Sequence, residues 1–127
     1  MRLALFQPDI PQNTGTLLRL GACLDVPLDI IEPCGFVFSE RTLKRSGMDY
    51  LHLADYRRHN SWNDFLQYRA EHPDEYGRIV LLTTHASRPY TEYFIPFAPS
   101  VNTSSAPYAF NNVRRSILMV SGRVSTA

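Results

Sequence analysis

The feature that most constrains the fold is the alternation of short apolar runs with stretches of helical spacing over residues 1–84. Short apolar runs bounded by polar or turn residues are typical of buried strands. Three such runs lie at residues 2–6, 28–31 and 78–84, and a weaker one lies at residues 51–54. Strands that alternate with helices predict an α/β fold with a parallel, doubly wound sheet.

Three helices are predicted in the connections between these strands. Asn13 is the expected N-cap of a helix that runs to about Leu24, where leucines recur at helical spacing. Ser39 is expected to cap a short helix over residues 40–46 that Gly47 closes, and Ser61 is expected to cap a third. Ligands of such sheets bind beyond the carboxyl ends of the strands, so the loops after these strands are the predicted site.

Charge and cysteine content exclude several classes of protein. The formal net charge is +1, from 13 basic and 12 acidic side chains, so no global basic field points to nucleic acid. We expect no membrane span, because no apolar run approaches the about 20 residues that one requires. Cys23 and Cys34 form neither a disulfide framework nor a metal-binding spacing, so we expect no metal and a reduced, cytoplasmic location.

The distribution of acidic residues divides the chain in two. All 12 lie within the first 92 residues, and residues 93–127 contain no Asp or Glu. The stretch after residue 93 is rich in Pro, Ser and Asn without a clear period, which predicts loop or linker. Its last apolar run, Ser116–Val120, is a possible strand. We therefore expect an α/β region over residues 1–92 and a divergent tail over residues 93–127.

Two groups of residues could bind an anion. Asn13 and Arg19 follow the first strand, where a helix N-terminus and a nearby guanidinium suit a phosphate or a polarised hydroxyl. The alternative is simple helix capping, with Arg19 in solvent. Arg41, Lys44 and Arg45 share one face of the second predicted helix, which is either a polyanion contact or an ordinary solvated face.

Arg57 and Arg58 extend this basic cluster. Four aromatic residues interleave with it as possible stacking platforms: Phe36, Phe38, Tyr50 and Tyr56. Other catalytic patterns are weak. The four histidines have no metal-binding spacing and are expected on the surface or in loops: His52, His59, His72 and His85. Cys34 follows the second strand, where a nucleophilic thiol is conceivable but lacks a positioned His. No P-loop, G-x-G-x-x-G or G-x-S-x-G motif is present.

The segments Asn13–Arg19, Glu32–Phe36 and Arg41–Tyr50 carry motifs that occur together. They resemble those of the SPOUT-class RNA 2′-O-ribose methyltransferases, and within them the branch that acts on the tRNA wobble position. The segment Asn13-Thr-Gly-x-x-x-Arg19 is similar to the first motif of this family. Glu32-Pro33 with Gly35-Phe36 matches its second loop, and the run from Arg41 to Tyr50 matches its basic stretch. Leu81-Leu-Thr-Thr84 matches the strand before its cofactor loops. These matches cover residues 1–84.

The resemblance implies an α/β fold with a C-terminal trefoil knot, a homodimer, and S-adenosylmethionine as the methyl donor. The expected substrate is the ribose 2′-hydroxyl of the anticodon wobble nucleotide of tRNA. Arg19 and Asn13 are the implied catalytic residues. Implied cofactor contacts are Leu82, Thr83 and Gly122, and implied tRNA contacts are Arg41, Lys44 and Arg45.

The resemblance ends in the tail. The family continues through three further segments that form the knot, and Ile117–Ala127 resembles only the first of them, without its glutamate. An incomplete knot is therefore expected, and residues after 93 look like an insertion or a shifted reading frame. The alternative function is a catalytically inactive remnant that keeps some RNA binding or dimerisation. An unrelated nucleotide binder is disfavoured by the missing glycine fingerprint.

Overall fold

The computed structural model describes residues 1–46, 49, 51–82, 87 and 89, together with the backbone of residues 116–120. Within them the strands are β1 (Arg2–Phe6), β2 (Leu28–Ile31), β3 (Tyr56–His59), β4 (Ile79–Leu82) and β5 (Ser116–Val120). The α-helices are α1 (Pro11–Leu24), α2 (Glu40–Arg45) and α3 (Trp62–Glu71), and a 3₁₀ turn covers Leu51–Leu53. The possible strand at Ser116–Val120 is confirmed. The rest of the tail with its expected knot lies outside the described residues, as do Gly47, Tyr50 and His85.

The strands form one sheet in the order β3-β2-β1-β5-β4. β1, β2 and β3 are parallel, which confirms the predicted α/β arrangement for this part of the sheet. β5 runs antiparallel to both of its neighbours, β1 and β4. Because both neighbours oppose β5, they run in the same direction as each other, and their carboxyl ends lie at the same edge.

Helices cover both faces of the sheet, as a doubly wound fold requires. On one face, Leu18 of α1 and Leu43 of α2 pack against Leu5, Leu28 and Ile30 of the strands. On the other face, Phe65 of α3 packs with Ala4, Ile31 and Tyr76. Successive strand residues point to opposite faces, which explains why neighbouring residues of β1 and β2 belong to different clusters.

Leu28 also explains a glycine at the end of α1. A Cβ at Gly21 would lie 2.2 Å from Leu28 Cδ1 and 2.6 Å from the carbonyl oxygen of Val26, so the helix approaches β2 too closely for a side chain there. α1 ends at Leu24, and Asp25 follows it in the left-handed region with φ 54°.

A buried polar cluster lies within the α3 face of the sheet. The Asp29 carboxylate is fully buried and accepts hydrogen bonds from Arg2 Nε (2.9 Å), His59 Nε2 (2.8 Å) and Tyr76 Oη (2.8 Å). Burial alone would raise the pKa of Asp29, but the hydrogen bonds from His59, Arg2 and Tyr76 outweigh it and hold the pKa below its ordinary value. Asp29 is therefore a buried anion whose hydrogen bonds link β2 to Arg2 of β1, His59 of β3 and the loop residue Tyr76.

Three predictions about local structure are wrong. Residues 51–53 form a 3₁₀ turn. The strand lies instead at Tyr56–His59, because the backbone of these residues pairs with β2. α1 begins at Pro11 with Ile10 as its N-cap, so Asn13 lies within the first turn. His59 is 2% exposed, because Asp29 accepts its N–H inside the protein.

The other two caps are confirmed. Ser39 Oγ accepts a hydrogen bond from the Thr42 N–H, and Ser61 Oγ accepts one from the Asp64 N–H. Asp64 reaches back to the N–H of Asn60, one residue before the cap, so the N-terminus of α3 resembles a capping box.

Of the helices that the structure describes, not one has the length and apolar character needed to cross a bilayer.

Candidate functional site

The loops that follow β1 and β2 meet at the carboxyl edge of the sheet, where the sequence predicts the site. The Gly35 N–H donates to the carbonyl oxygen of Pro8 at 2.9 Å, and the Gln7 N–H donates to that of Ile31 at the same distance. Gln7 has φ 46°, a conformation that turns the chain sharply as it leaves β1. The two loops are therefore fixed to each other by backbone contacts.

Gly35 is required by this contact between the loops. A Cβ at this position would lie 2.6 Å from Asp9 Oδ1 and 2.9 Å from Asp9 Cα, and the second of these is a backbone atom that cannot rotate away. The sequence places Gly35 in the second loop, but its contact with Asp9 is visible only in the tertiary structure.

The predicted catalytic residues both lie on the exposed surface of α1. Asn13 sits in the first turn of the helix, close to the carboxyl edge, and Arg19 lies six residues further on. Six residues correspond to about 9 Å along a helix axis and about a third of a turn around it. Pro11, which has no N–H, opens α1, and the Thr14 N–H donates to the carbonyl oxygen of Ile10 at 3.1 Å as the helix begins.

The predicted cofactor residues are only partly described. Leu82 is half-buried at the end of β4, and its strand points to the same edge as β1. Thr83 and Gly122 lie outside the described residues. β5 ends at Val120, which pairs with Arg2 and Ile79 at the amino edge of the sheet.

The predicted RNA contacts lie together on the outer surface of α2. Arg41, Lys44 and Arg45 are all exposed, while Leu43 is buried against the sheet. Glu40 in the first turn and the two cations in the last turn agree with the helix dipole.

The adjacent arginines of β3 belong to opposite faces of the sheet. Arg58 pairs in register with Ile30, on the face covered by α1 and α2, whereas Arg57 pairs with Asp29 on the α3 face. Of these two arginines, only Arg58 therefore lies on the face of the sheet that α2 covers. The sequence does not assign the two arginines to opposite faces, because it predicts the strand at residues 51–54 and not at Tyr56–His59.

The titratable groups near the loops do not supply a nucleophile. Burial, followed by the negative charge of Glu32, raises the pKa of Cys34 to about 11, so the thiol is protonated at neutral pH. Its side chain packs partly buried against the core, which favours a structural role. Across the described residues there is no group of three or more His, Cys, Asp or Glu side chains suited to a metal ion.

The fold defines the chain as a doubly wound α/β protein in which the loops after β1 and β2 meet at the carboxyl edge of the sheet. It belongs to the SpoU rRNA Methylase family, whose model matches residues 1–115.

Among relatives, the tRNA (cytidine(34)-2′-O)-methyltransferase of Beijerinckia indica subsp. indica is 54% identical over 91 residues, which cover 72% of this chain and 55% of that protein. The protein of the same name from Escherichia coli strain K12 is 39% identical over 84 residues, covering 66% and 50%. The chain thus spans about half the length of the curated relatives it matches.

A solved structure described as "Structural insights into the 2-OH methylation of C/U34 on tRNA" is also similar. It is 46% identical, with a TM-score of 0.48, and the match covers 51% of this chain and 43% of that chain.

Proposed function

We propose that this chain is a TrmL-like tRNA 2′-O-ribose methyltransferase that modifies the wobble nucleotide of the anticodon. The observation that carries the proposal is the family match over residues 1–115, which includes both loops at the carboxyl edge. The relative that is 54% identical carries the name of this activity. These similarities favour the enzyme over the inactive remnant that the sequence left as the alternative.

The proposed chemistry assigns the activation of the ribose hydroxyl to Arg19 and Asn13. A hydroxyl ionises far above neutral pH, so it attacks efficiently only beside a group that stabilises the negative charge developing on its oxygen. The Arg19 guanidinium donates hydrogen bonds to that oxygen while the hydroxyl proton passes to solvent water and the oxygen bonds to the methyl carbon. The Asn13 amide, nearer the carboxyl edge, orients the ribose. The exposure of both side chains on α1 supports access by a large substrate.

S-adenosylmethionine, when bound, supplies the methyl group. Leu82 fits the proposed cofactor position, because it ends β4 at the edge where the loop of β1 begins. Thr83 directly follows Leu82 in the sequence and belongs to the same proposal. The direction of β5, which ends at the opposite edge, gives no support to Gly122.

The proposed partner is the anticodon region of tRNA, which Arg41, Lys44 and Arg45 would contact through its phosphates. Their exposure and shared outer surface support this role. We also infer a homodimer, as the resemblance implies, and a cytoplasmic location, as the cysteine content predicts. Leu20 and Leu24 on α1 are 46% and 63% exposed, which supports an apolar contact between subunits.

Methyl transfer from labelled S-adenosylmethionine to unmodified tRNA tests the proposal, together with calorimetric titration of the cofactor. Arg19→Ala should lower the rate by about 100-fold or more while the cofactor affinity is kept. Arg78→Ala is the matched control, since Arg78 is also exposed but precedes β4 at the amino edge. A folded protein that transfers no methyl group, or an Arg19→Ala variant as active as the control, would refute the proposal.

A further inference from the structure

Arg58 is held in one orientation at the carboxyl half of β3. Its Nε donates to Glu32 Oε1 at 2.7 Å, and its Nη2 donates to the same oxygen. The guanidinium also lies over the ring of Phe38, with Cζ 4.8 Å from the ring centroid. The side chain is nevertheless 46% exposed. Arg58 therefore presents an ordered, partly open planar group to solvent.

Phe36 and Phe38 extend this planar surface along the loop after β2. Their rings are stacked, with centroids 6.2 Å apart and an interplanar angle of 29°. Phe38 also contacts the ring of Tyr56, at 5.7 Å between centroids. All three rings pack partly buried against the core cluster that contains Leu43 of α2, so the surface is supported from below. We call Arg58, Phe36 and Phe38 the β3 platform.

The surroundings of the β3 platform favour one kind of occupant. α2 packs on the same face of the sheet through Leu43, and its exposed cations would attract a phosphate backbone. The charge of Arg58 is balanced by that of Glu32. Arg58 therefore contributes a planar face for stacking to the platform, and not net positive charge. Unpaired bases of RNA stack on aromatic rings and on arginine planes, whereas bases within a duplex are not accessible to such stacking.

We propose that the β3 platform stacks an unpaired base of the substrate RNA, next to the nucleotide that the edge of β1 and β2 receives. The inference rests on the proposed function, because it takes the substrate to be a tRNA anticodon loop. It adds a base-contacting surface to the proposed phosphate contacts of α2, and it predicts that the protein distinguishes a single-stranded loop from a duplex stem.

Arg57 supplies an internal control for the test. It is adjacent on the same strand and also lies over an aromatic ring, that of Tyr68, at 4.2 Å. However, it lies on the α3 face, where it donates to Tyr76 Oη and contacts Glu75. Arg57→Lys and Arg58→Lys make the same chemical change on opposite faces of the sheet. Both keep the charge and remove the planar fork.

The experiment measures the affinity of the full chain for an anticodon stem-loop RNA and for a fully paired RNA of equal length. A 2-aminopurine in the loop reports stacking through its fluorescence. Arg58→Lys should bind the loop RNA about 5- to 100-fold more weakly and reduce the fluorescence quench. Its affinity for duplex RNA and its salt dependence should stay unchanged. Arg57→Lys should behave as the wild type does, and Glu32→Gln should give an intermediate loss.

Two of the possible outcomes distinguish a failure of the platform from a failure of the proposed function. If Arg58→Lys binds the loop RNA as tightly as Arg57→Lys, or weakens loop and duplex equally, the platform is overturned even where methyl transfer is observed. If Arg58→Lys selectively weakens loop binding in a protein without methyl transfer, the platform stands and the proposed activity fails. A folded wild-type chain that binds neither RNA overturns both.

Discussion

Replacing Asp29 with asparagine is expected to lower the free energy of unfolding by about 3–5 kcal/mol. The carboxylate is 0% exposed and accepts hydrogen bonds from Arg2, His59 and Tyr76. Asparagine keeps the shape but removes the charge and turns one acceptor atom into a donor. The Arg2 guanidinium, in a residue 8% exposed, would then lose its buried counter-charge and face an N–H group.

This loss is large relative to the stability of a typical domain, which is about 5–15 kcal/mol. Urea unfolding followed by far-UV circular dichroism and by Trp62 fluorescence measures it. With a slope of about 1–3 kcal/mol per molar urea, the midpoint should fall by at least about 1 M. The control is Asp55→Asn on the surface, expected within about 0.5 kcal/mol of the wild type. A loss below about 1 kcal/mol for Asp29→Asn would refute the reasoning.

The same carboxylate predicts a dependence of stability on pH. Its pKa is lower in the folded protein than the ordinary value of 3.8, so the folded state favours the ionised form. The stabilisation is present above the unfolded pKa and is lost as the pH falls below it, towards the folded pKa. Between pH 6 and pH 3 the urea midpoint of the wild type should fall more steeply than that of Asp29→Asn. Equal slopes would contradict the assignment.

Three further predictions concern the loops and caps. Gly35→Ala should lower stability by about 1–3 kcal/mol, measured by urea unfolding, because its Cβ meets Asp9; unchanged stability would contradict the contact. An aromatic disulfide reagent at pH 8 should react quickly with the exposed thiol of Cys23 and slowly with that of Cys34, because a pKa of about 11 leaves little Cys34 thiolate; rapid labelling of Cys34 in a Cys23→Ser variant would refute this. Ser39→Ala should lower the free energy of unfolding by about 1 kcal/mol through loss of its cap on α2, and an unchanged thermal midpoint would argue against that role.

The predicted site depends on contacts between residues close together in sequence and on contacts between residues far apart in sequence. Arg41, Lys44 and Arg45 could be placed on one face from their spacing, since a helix brings residues three and four apart together. The β3 platform could not be assembled in this way. Arg58 reaches Glu32 across 26 positions in sequence, and two adjacent arginines look alike until a strand direction assigns them to opposite faces.

The sequence by itself determined the elements whose causes are local. The apolar runs at Arg2–Phe6 and Leu28–Ile31 predicted β1 and β2, and Ser39 and Ser61 predicted their helices through hydrogen bonds three residues away. Tertiary structure alone decided that Tyr56–His59 is a strand and that β5 enters antiparallel beside β1. Both features depend on backbone hydrogen bonding to a strand that is distant in sequence. A window of a few residues holds no information about that neighbour, so the ladders and the buried cluster around Asp29 emerge only in the folded chain.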